Sequence, residues 1–256
     1  MSPRLQYSLF MLMALAVFVF VRRLIPKPPA LQALPWWTRT ALALSALVGG
    51  AFGAKLPFLF GVSDEGWLTL WFRDGKTITT GLIGAYLGVE MAKLALDVRV
   101  KTGDTFALPL ALALAVGRWG CFCNGCCYGR TTDLPWGVDF GDGSPRHPTQ
   151  VYESVFHLLM ACVLVVLMRH GLLRTHRLQL YLTAYGAYRF LTEYIRPEPL
   201  DWLGLTFYQW VSLFLIVAMM VQWRFDVAAE KRHEAGLRLA LARPEDELPI
   251  AAASER

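Results

Sequence analysis

The sequence predicts an all-α, polytopic membrane protein with seven spanning helices, its N-terminus outside and its C-terminus cytoplasmic. Three observations carry this. Of 256 residues, 55% are hydrophobic, and the mean hydropathy is positive, too apolar for an ordinary soluble domain. The apolar residues gather in runs of about 20, the length that crosses a bilayer as a helix. The basic residues gather in alternate connections between those runs, which sets orientation by the positive-inside rule.

In chain order the segments are roughly 5–22, 41–61, 78–97, 105–124, 151–168, 178–195 and 203–223. The third, fourth and sixth carry charges, so each needs a reason to span. Arg22, Arg23, Lys27 and Arg39 follow the first segment, Arg99 and Lys101 the third, and Arg169, Arg174 and Arg177 the fifth. Arg224, Lys231, Arg232, Arg238 and Arg243 follow the seventh. The opposite side holds Arg4, Arg73, Lys76, Arg130, Arg146 and Arg196. Basic stretches at these places read as topology, and no nucleic-acid partner is expected. Residues 1–22 have a thin basic start and no small-residue cleavage pattern. "RRLIPK" after them reads as a cytoplasmic stop, so the run is kept as helix one. Residues 1–223 form one membrane domain and 224–256 a charged cytoplasmic tail.

Gly49 and Gly53 in the second segment, and Gly84 and Gly88 in the third, are four apart. Such pairs let helix backbones approach closely in lipid, and tight packing is the reading adopted. The longest internal loop, 125–150, is rich in turn-forming residues and lies outside on this topology. Long loops of this kind often carry function.

Charges within spanning helices cost about 2.5–3.5 kcal/mol each on insertion scales and face the bundle interior. Three groups stand out. Tyr185, Arg189, Glu193 and Arg196 share one helical stripe, with Arg–Glu pairs at i,i+4 and i,i+3. Two arginines against one glutamate leave a spare positive charge, which favours an anionic ligand. Glu90, Lys93 and Asp97 neutralise one another and read as structural. Lys55 lies nearer the outer end of its segment, too far to join them. Arg118 has no carboxylate within four positions, so it needs a partner from another helix or a ligand phosphate.

Just after Arg118, Cys121, Cys123, Cys126 and Cys127 form a C-x-C-x-x-C-C cluster. Disulfides, plain packing, reactive thiols and a metal site are all open readings, in that order of preference. The spacing matches no standard metal pattern, so no metal and no cofactor are expected. The stretch "SPRHPTQVYE" adds Arg146 and His147, the latter able to take a proton near neutral pH, then Gln150, Tyr152 and Glu153. Arg118, Arg130, His147 and the Tyr185–Arg196 stripe make one convergent polar site at the outer membrane half.

These residues resemble a known family, the phosphatidylglycerol–prolipoprotein diacylglyceryl transferases of bacterial inner membranes. The likeness rests on Gly117, Arg118, Gly120, Phe122, Asn124, Gly125, Gly129 and Arg130, then "TDLPWGV" at 132–138. It continues through Arg146, His147, Pro148, Thr149, Gln150, Tyr152 and Glu153, and through Tyr185, Gly186, Arg189, Phe190, Glu193 and Arg196. Tyr7, "GGAFGAKL" at 49–56, "GLIGAYLG" at 81–88 and Gln209 are also similar. The resemblance covers most of the chain apart from its tail.

It implies a multi-pass inner-membrane enzyme of lipoprotein biosynthesis. Such an enzyme moves the diacylglyceryl group of phosphatidylglycerol to the lipobox cysteine of a prolipoprotein signal peptide. A thioether forms and glycerol phosphate leaves. The implied partners are phosphatidylglycerol, prolipoproteins and membrane lipid. Arg118, Arg189, Glu193 and His147 are the implied catalytic residues. Arg118, Asn124, Arg130, Tyr185, Arg189 and Arg196 are the implied phosphatidylglycerol-binding residues, with Arg118 and Arg189 on the phosphate.

Three departures mark this chain. Thr79 aligns with the family's histidine, Cys121 with the first Asn of its signature, and Cys126 with its Glu. Threonine is no base at neutral pH. Either His147, Glu153 or a cysteine takes that task, or the substrate differs. A related thiol-dependent enzyme or redox protein with another acceptor, and a non-catalytic phospholipid-binding protein, remain alternatives.

Overall fold

In the computed structural model, residues 2–59 and 77–241 are described. Eight α-helices occur among them: α1 Pro3–Leu24, α2 Pro29–Gln32, α3 Trp36–Leu59, α4 Ile78–Ala95, α5 Asp104–Cys123, α6 Thr149–Arg169, α7 Arg177–Thr192 and α8 Phe207–Leu241. The expected all-α class is what the structure shows. The end of the second segment at 60–61, Arg73, Lys76 and everything after 241, Arg243 included, lie outside the described residues.

Among the described residues, five helices are long and apolar enough to cross a membrane: α1, α3 over Trp36–Pro57, α5, α6, and α8 over Phe207–Gly236. The other two expected segments also fold as helices. However, α7 has 16 residues, about 24 Å of helix against a hydrocarbon core of about 30 Å. α4 has 18 residues and carries Glu90 and Lys93. Length and composition therefore support five of the seven expected spans. α8 runs without a break past residue 223, so the first part of the tail continues the last helix.

Burial is inverted relative to a soluble domain. Large apolar side chains face outward, with Leu12 63%, Phe20 64% and Leu94 82% exposed, whereas Arg118, Glu153, His157, Arg189, Glu193 and Arg196 are buried. A lipid solvent produces this pattern, because it welcomes the apolar exterior and leaves ionic groups only the interior.

The helices pack as neighbours: α1 on α5, α5 on α6, α7 on α8, and, most extensively, α3 on α4. Glycine sets the last of these. A Cβ built at Gly53 would stand 2.9 Å from Gly84 Cα, and one at Gly88 would stand 3.3 Å from Gly49 Cα. The two small-residue pairs thus mesh with each other, which is the packing role read from their spacing. Lys93 Nζ pairs with Glu90 Oε1 at 2.8 Å. Asp97 takes no part in that pair. It follows α4 with φ of 49° and turns to Arg99, 3.5 Å away. Lys55 is buried.

The long loop contains a feature the sequence reading did not anticipate. A minimal antiparallel hairpin pairs β1, Val138–Asp139, with β2, Pro145–Arg146. Asp139 Oδ1 accepts from Gly141 N and Gly143 N at 2.8 and 3.1 Å and so closes the turn. Both glycines have positive φ, a conformation that costs them little. Arg146 Nε donates to Asp142 Oδ2 at 2.6 Å, and its guanidinium lies over the Tyr128 ring.

Candidate active site

The site begins where α5 ends. Asn124 caps the helix and Gly125, at φ of 63°, takes the left-handed turn after it. Gly125 N donates to Phe122 O, and Cys126 N to Cys121 O at 3.1 Å. This 5→2 and 6→1 pair is the glycine-terminated helix end that satisfies otherwise orphaned carbonyls. It also folds Cys126 back beside Cys121, five residues earlier. Cys127 is itself left-handed, at φ of 64°, a conformation that costs a non-glycine residue about 1–3 kcal/mol. Surrounding bonds hold it there. Its carbonyl accepts from Thr149 Oγ1 at 2.6 Å and Arg196 Nη1 at 3.1 Å, and Cys126 O accepts from Gln150 Nε2 at 2.7 Å. The first turn of α6 and Arg196, four residues beyond α7, therefore clamp the cysteine loop from two sides.

One turn before this loop, Arg118 points inward and is 5% exposed. Its partner comes from α6: Arg118 Nη2 lies 2.9 Å from Glu153 Oε2. Glu153 Oε1 accepts from Tyr185 Oη of α7 at 2.9 Å, and His157 Nε2 stands 3.8 Å from the same oxygen. His157 Nδ1 shares a 2.8 Å hydrogen bond with Tyr181 Oη. One buried carboxylate thus ties α5, α6 and α7 together.

The stripe on α7 closes the other side. Arg189 Nη2 lies 2.9 Å from Glu193 Oε2, and Arg196 Nε lies 3.9 Å from the same atom. The expected pairs form, yet the helix behaves differently from a continuous stripe. α7 stops at Thr192, and Glu193–Ile195 make a 3-10 turn. Pro197 and Pro199 follow, and proline cannot continue a helix. Arg196 therefore sits on extended backbone and reaches across to the cysteine loop. Thr206 Oγ1 donates to Glu193 Oε1 at 3.2 Å. Thr206 and Gln209 also cap α8 reciprocally, Gln209 N on Thr206 Oγ1 and Thr206 N on Gln209 Oε1.

Between these groups lies a cavity of about 40 Å³, lined by Thr77, Ile78, Thr79, Arg118, Cys127, Glu153, Tyr185, Arg189, Arg196 and Tyr208. Three guanidiniums stand against two carboxylates, Glu153 and Glu193, which leaves one net positive charge. Arg118 Nε and Arg196 Nε are buried and make no hydrogen bond. Buried donors of this kind call for an acceptor.

Of the residues read from the sequence, Arg118, Tyr185, Arg189, Arg196 and Cys127 line this cavity, and Glu193 stands directly behind Arg189. Cys121 and Cys126 join Cys127: the three sulfurs lie within 4.8 Å of one another. All five cysteines are free thiols. Asn124, Arg130, His147 and Cys123 are not in the cavity wall. Asn124 and Arg130 are exposed, and Arg130 Nε donates to Arg196 O at 2.8 Å. His147 Nδ1 lies 3.3 Å from Tyr152 Oη. Its backbone bonds Gly129 and Arg130 on both sides, which stitches the hairpin to the cysteine loop. Sequence reading did not single out His157 and Tyr181, and it named Glu153 as a candidate base but not as the partner of Arg118. The available signal was i,i+4 spacing: Glu153 to His157 on one helix, Tyr181 to Tyr185 to Arg189 on another.

The comparisons with known proteins point to one family. Residues 5–225 match the family model described as prolipoprotein diacylglyceryl transferase. A phosphatidylglycerol–prolipoprotein diacylglyceryl transferase of Cupriavidus metallidurans is 32% identical over 86% of this chain and 88% of its own length. Those of Pasteurella multocida and Clostridium tetani are each 32% identical. They cover 86% and 72% of this chain and 89% and 79% of their own lengths. Given that match over most of its length, the chain belongs to the prolipoprotein diacylglyceryl transferase family.

Proposed function

We propose that the arginine cavity transfers the diacylglyceryl group of phosphatidylglycerol to the cysteine thiol of a prolipoprotein signal peptide. The observation that carries this reading is the cavity itself: three buried guanidiniums, two carrying unsatisfied Nε donors, around a space with one net positive charge. A phosphate diester is the anion such donors fit. In the reaction the sulfur–carbon bond forms as the carbon–oxygen bond to phosphate breaks. The leaving glycerol phosphate takes the electron pair. Arg118 and Arg189 hold the phosphate and stabilise that charge as it grows. Glu153, Tyr185, Glu193 and Arg196 hold the two guanidiniums in place. His147 acts at a distance, through the backbone bonds that position the cysteine loop.

All seven segments cross the bacterial inner membrane in this reading, with the N-terminus outside and the site in the outer half. The shorter α7 spans because neighbouring helices cover its polar groups, and α4 because Lys93 neutralises Glu90 on the same helix. The test is mass spectrometry of a lipobox peptide incubated with the purified protein and phosphatidylglycerol. The wild type adds a diacylglyceryl mass to the peptide thiol, and Arg189→Ala does not. Normal lipidation by Arg189→Ala would remove the site.

A further inference from the structure

The cysteine cluster is the one group of reactive side chains at this cavity to which the reaction above gives no task. Cys121, Cys126 and Cys127 bring their sulfurs within 4.8 Å of one another. A zinc-class ion with bonds of about 2.3 Å holds thiolates about 3.8 Å apart, so small side-chain rotations are enough to close the set. The backbone is already arranged for this. The helix-end turn places Cys126 beside Cys121, and the left-handed Cys127 brings the third thiol to the cavity wall.

We propose that Cys121, Cys126 and Cys127 form a trithiolate site for one zinc-class divalent cation, whose fourth position takes the acceptor cysteine thiol. This rests on the transferase reading given above. Charge supports it. Arg118 Nη1 stands 3.7 Å from Cys121 Sγ, a cation placed to favour that sulfur as a thiolate. Ligand type supports it, because thiolates select soft and borderline cations over magnesium or calcium. Chemistry supports it too. The attacking sulfur must be a thiolate, and a thiol that binds such a cation loses its proton outright. Thr79 in the cavity wall cannot accept that proton at neutral pH. The acceptor thiol binds the metal and its proton passes to water. The bound sulfur then attacks the diacylglyceryl carbon, and glycerol phosphate departs with the electron pair. The product thioether is a neutral, weaker ligand and leaves the metal. No redox step is involved.

The experiment uses the full chain in detergent, reduced and stripped with a chelator, then titrated with cobalt(II) as a spectroscopic probe. One equivalent should produce a thiolate-to-cobalt charge-transfer band that zinc(II) abolishes. Cys121→Ser, Cys126→Ser and Cys127→Ser should each lose that band, and Cys162→Ser on the outer face of α6 should keep it. A lipobox peptide should shift the cobalt d–d bands, and its Cys→Ser version should not. No band in the wild type, or a disulfide within the cluster in the protein as purified, overturns the site. Thioether formation by stripped protein at the zinc-loaded rate overturns the activating role and leaves the transferase reading standing. A cobalt band with no thioether formed by any form overturns the transferase reading and leaves the thiolate site standing.

Discussion

Arg118 Nη2 and Glu153 Oε2 meet at 2.9 Å although they come from different helices, 35 positions apart in the chain, and both are buried. This pair joins α5 to α6 beside the cavity. It resolves the carboxylate that Arg118 lacks on its own helix. Breaking a buried pair by removing one partner is costly, because the survivor keeps its charge without compensation.

Glu153→Gln preserves shape and still accepts from Tyr185, yet strands Arg118. The expected loss of stability is about 3–5 kcal/mol, read as a lowered thermal midpoint in detergent. Thioether formation falls with it. A midpoint equal to wild type would show that the ion pair does not hold α5 to α6.

Arg189→Lys keeps the charge and removes the planar fork. A phosphate held bidentately should then lose one of its two bonds. The expected fall in kcat/KM is about 10²-fold, measured with phosphatidylglycerol and a lipobox peptide. Wild-type kinetics from Arg189→Lys would mean that a point charge suffices.

Gly84→Leu places a branched side chain against Gly49 and Gly53, where even a Cβ would meet Gly53 Cα at 2.9 Å. The α3–α4 pair should separate. Cysteines introduced at Gly50 and Ala85, whose β positions lie 3.3 Å apart, would report it, crosslinking in the wild-type background and failing to do so with Gly84→Leu. Equal crosslinking in both would contradict the close approach.

Asp142 sits on the exposed hairpin, and the Arg146 hydrogen bond lowers its carboxyl pKa below the ordinary value. A carboxylate depressed in the folded state contributes at a pH above its unfolded value, about 3.9, and loses that contribution as pH falls through the folded value. Ser144 N donates to Asp142 Oδ1, so its amide protection factor should be constant from pH 7 to about 5 and decline below. Asp142→Asn should flatten that profile. A profile unchanged by Asp142→Asn would exclude the carboxylate as its source.

The membrane class, the helical segments, the arginine stripe and the small-residue seam were all legible in the sequence. Each is a matter of local period or of residue type at short spacing. A helix writes its faces into i,i+3 and i,i+4 positions, and a bilayer demands about 20 apolar residues per span. The pairing of Glu153 with Arg118 was not legible, nor was the crossing of Arg196 to the cysteine loop. Those contacts join residues from 35 to 69 positions apart, and no local period encodes which helices become neighbours. The cysteines show the division most clearly. Their spacing alone left disulfide, packing, reactive thiol and metal all open. A glycine-terminated helix end and a left-handed Cys127, clamped by α6 and Arg196, set three of the sulfurs together at the wall of the arginine cavity. Sequence determined which chemical groups this protein carries into the membrane. Tertiary packing decided which of them meet, because burial gave each ionic group a single set of partners that could offset its desolvation.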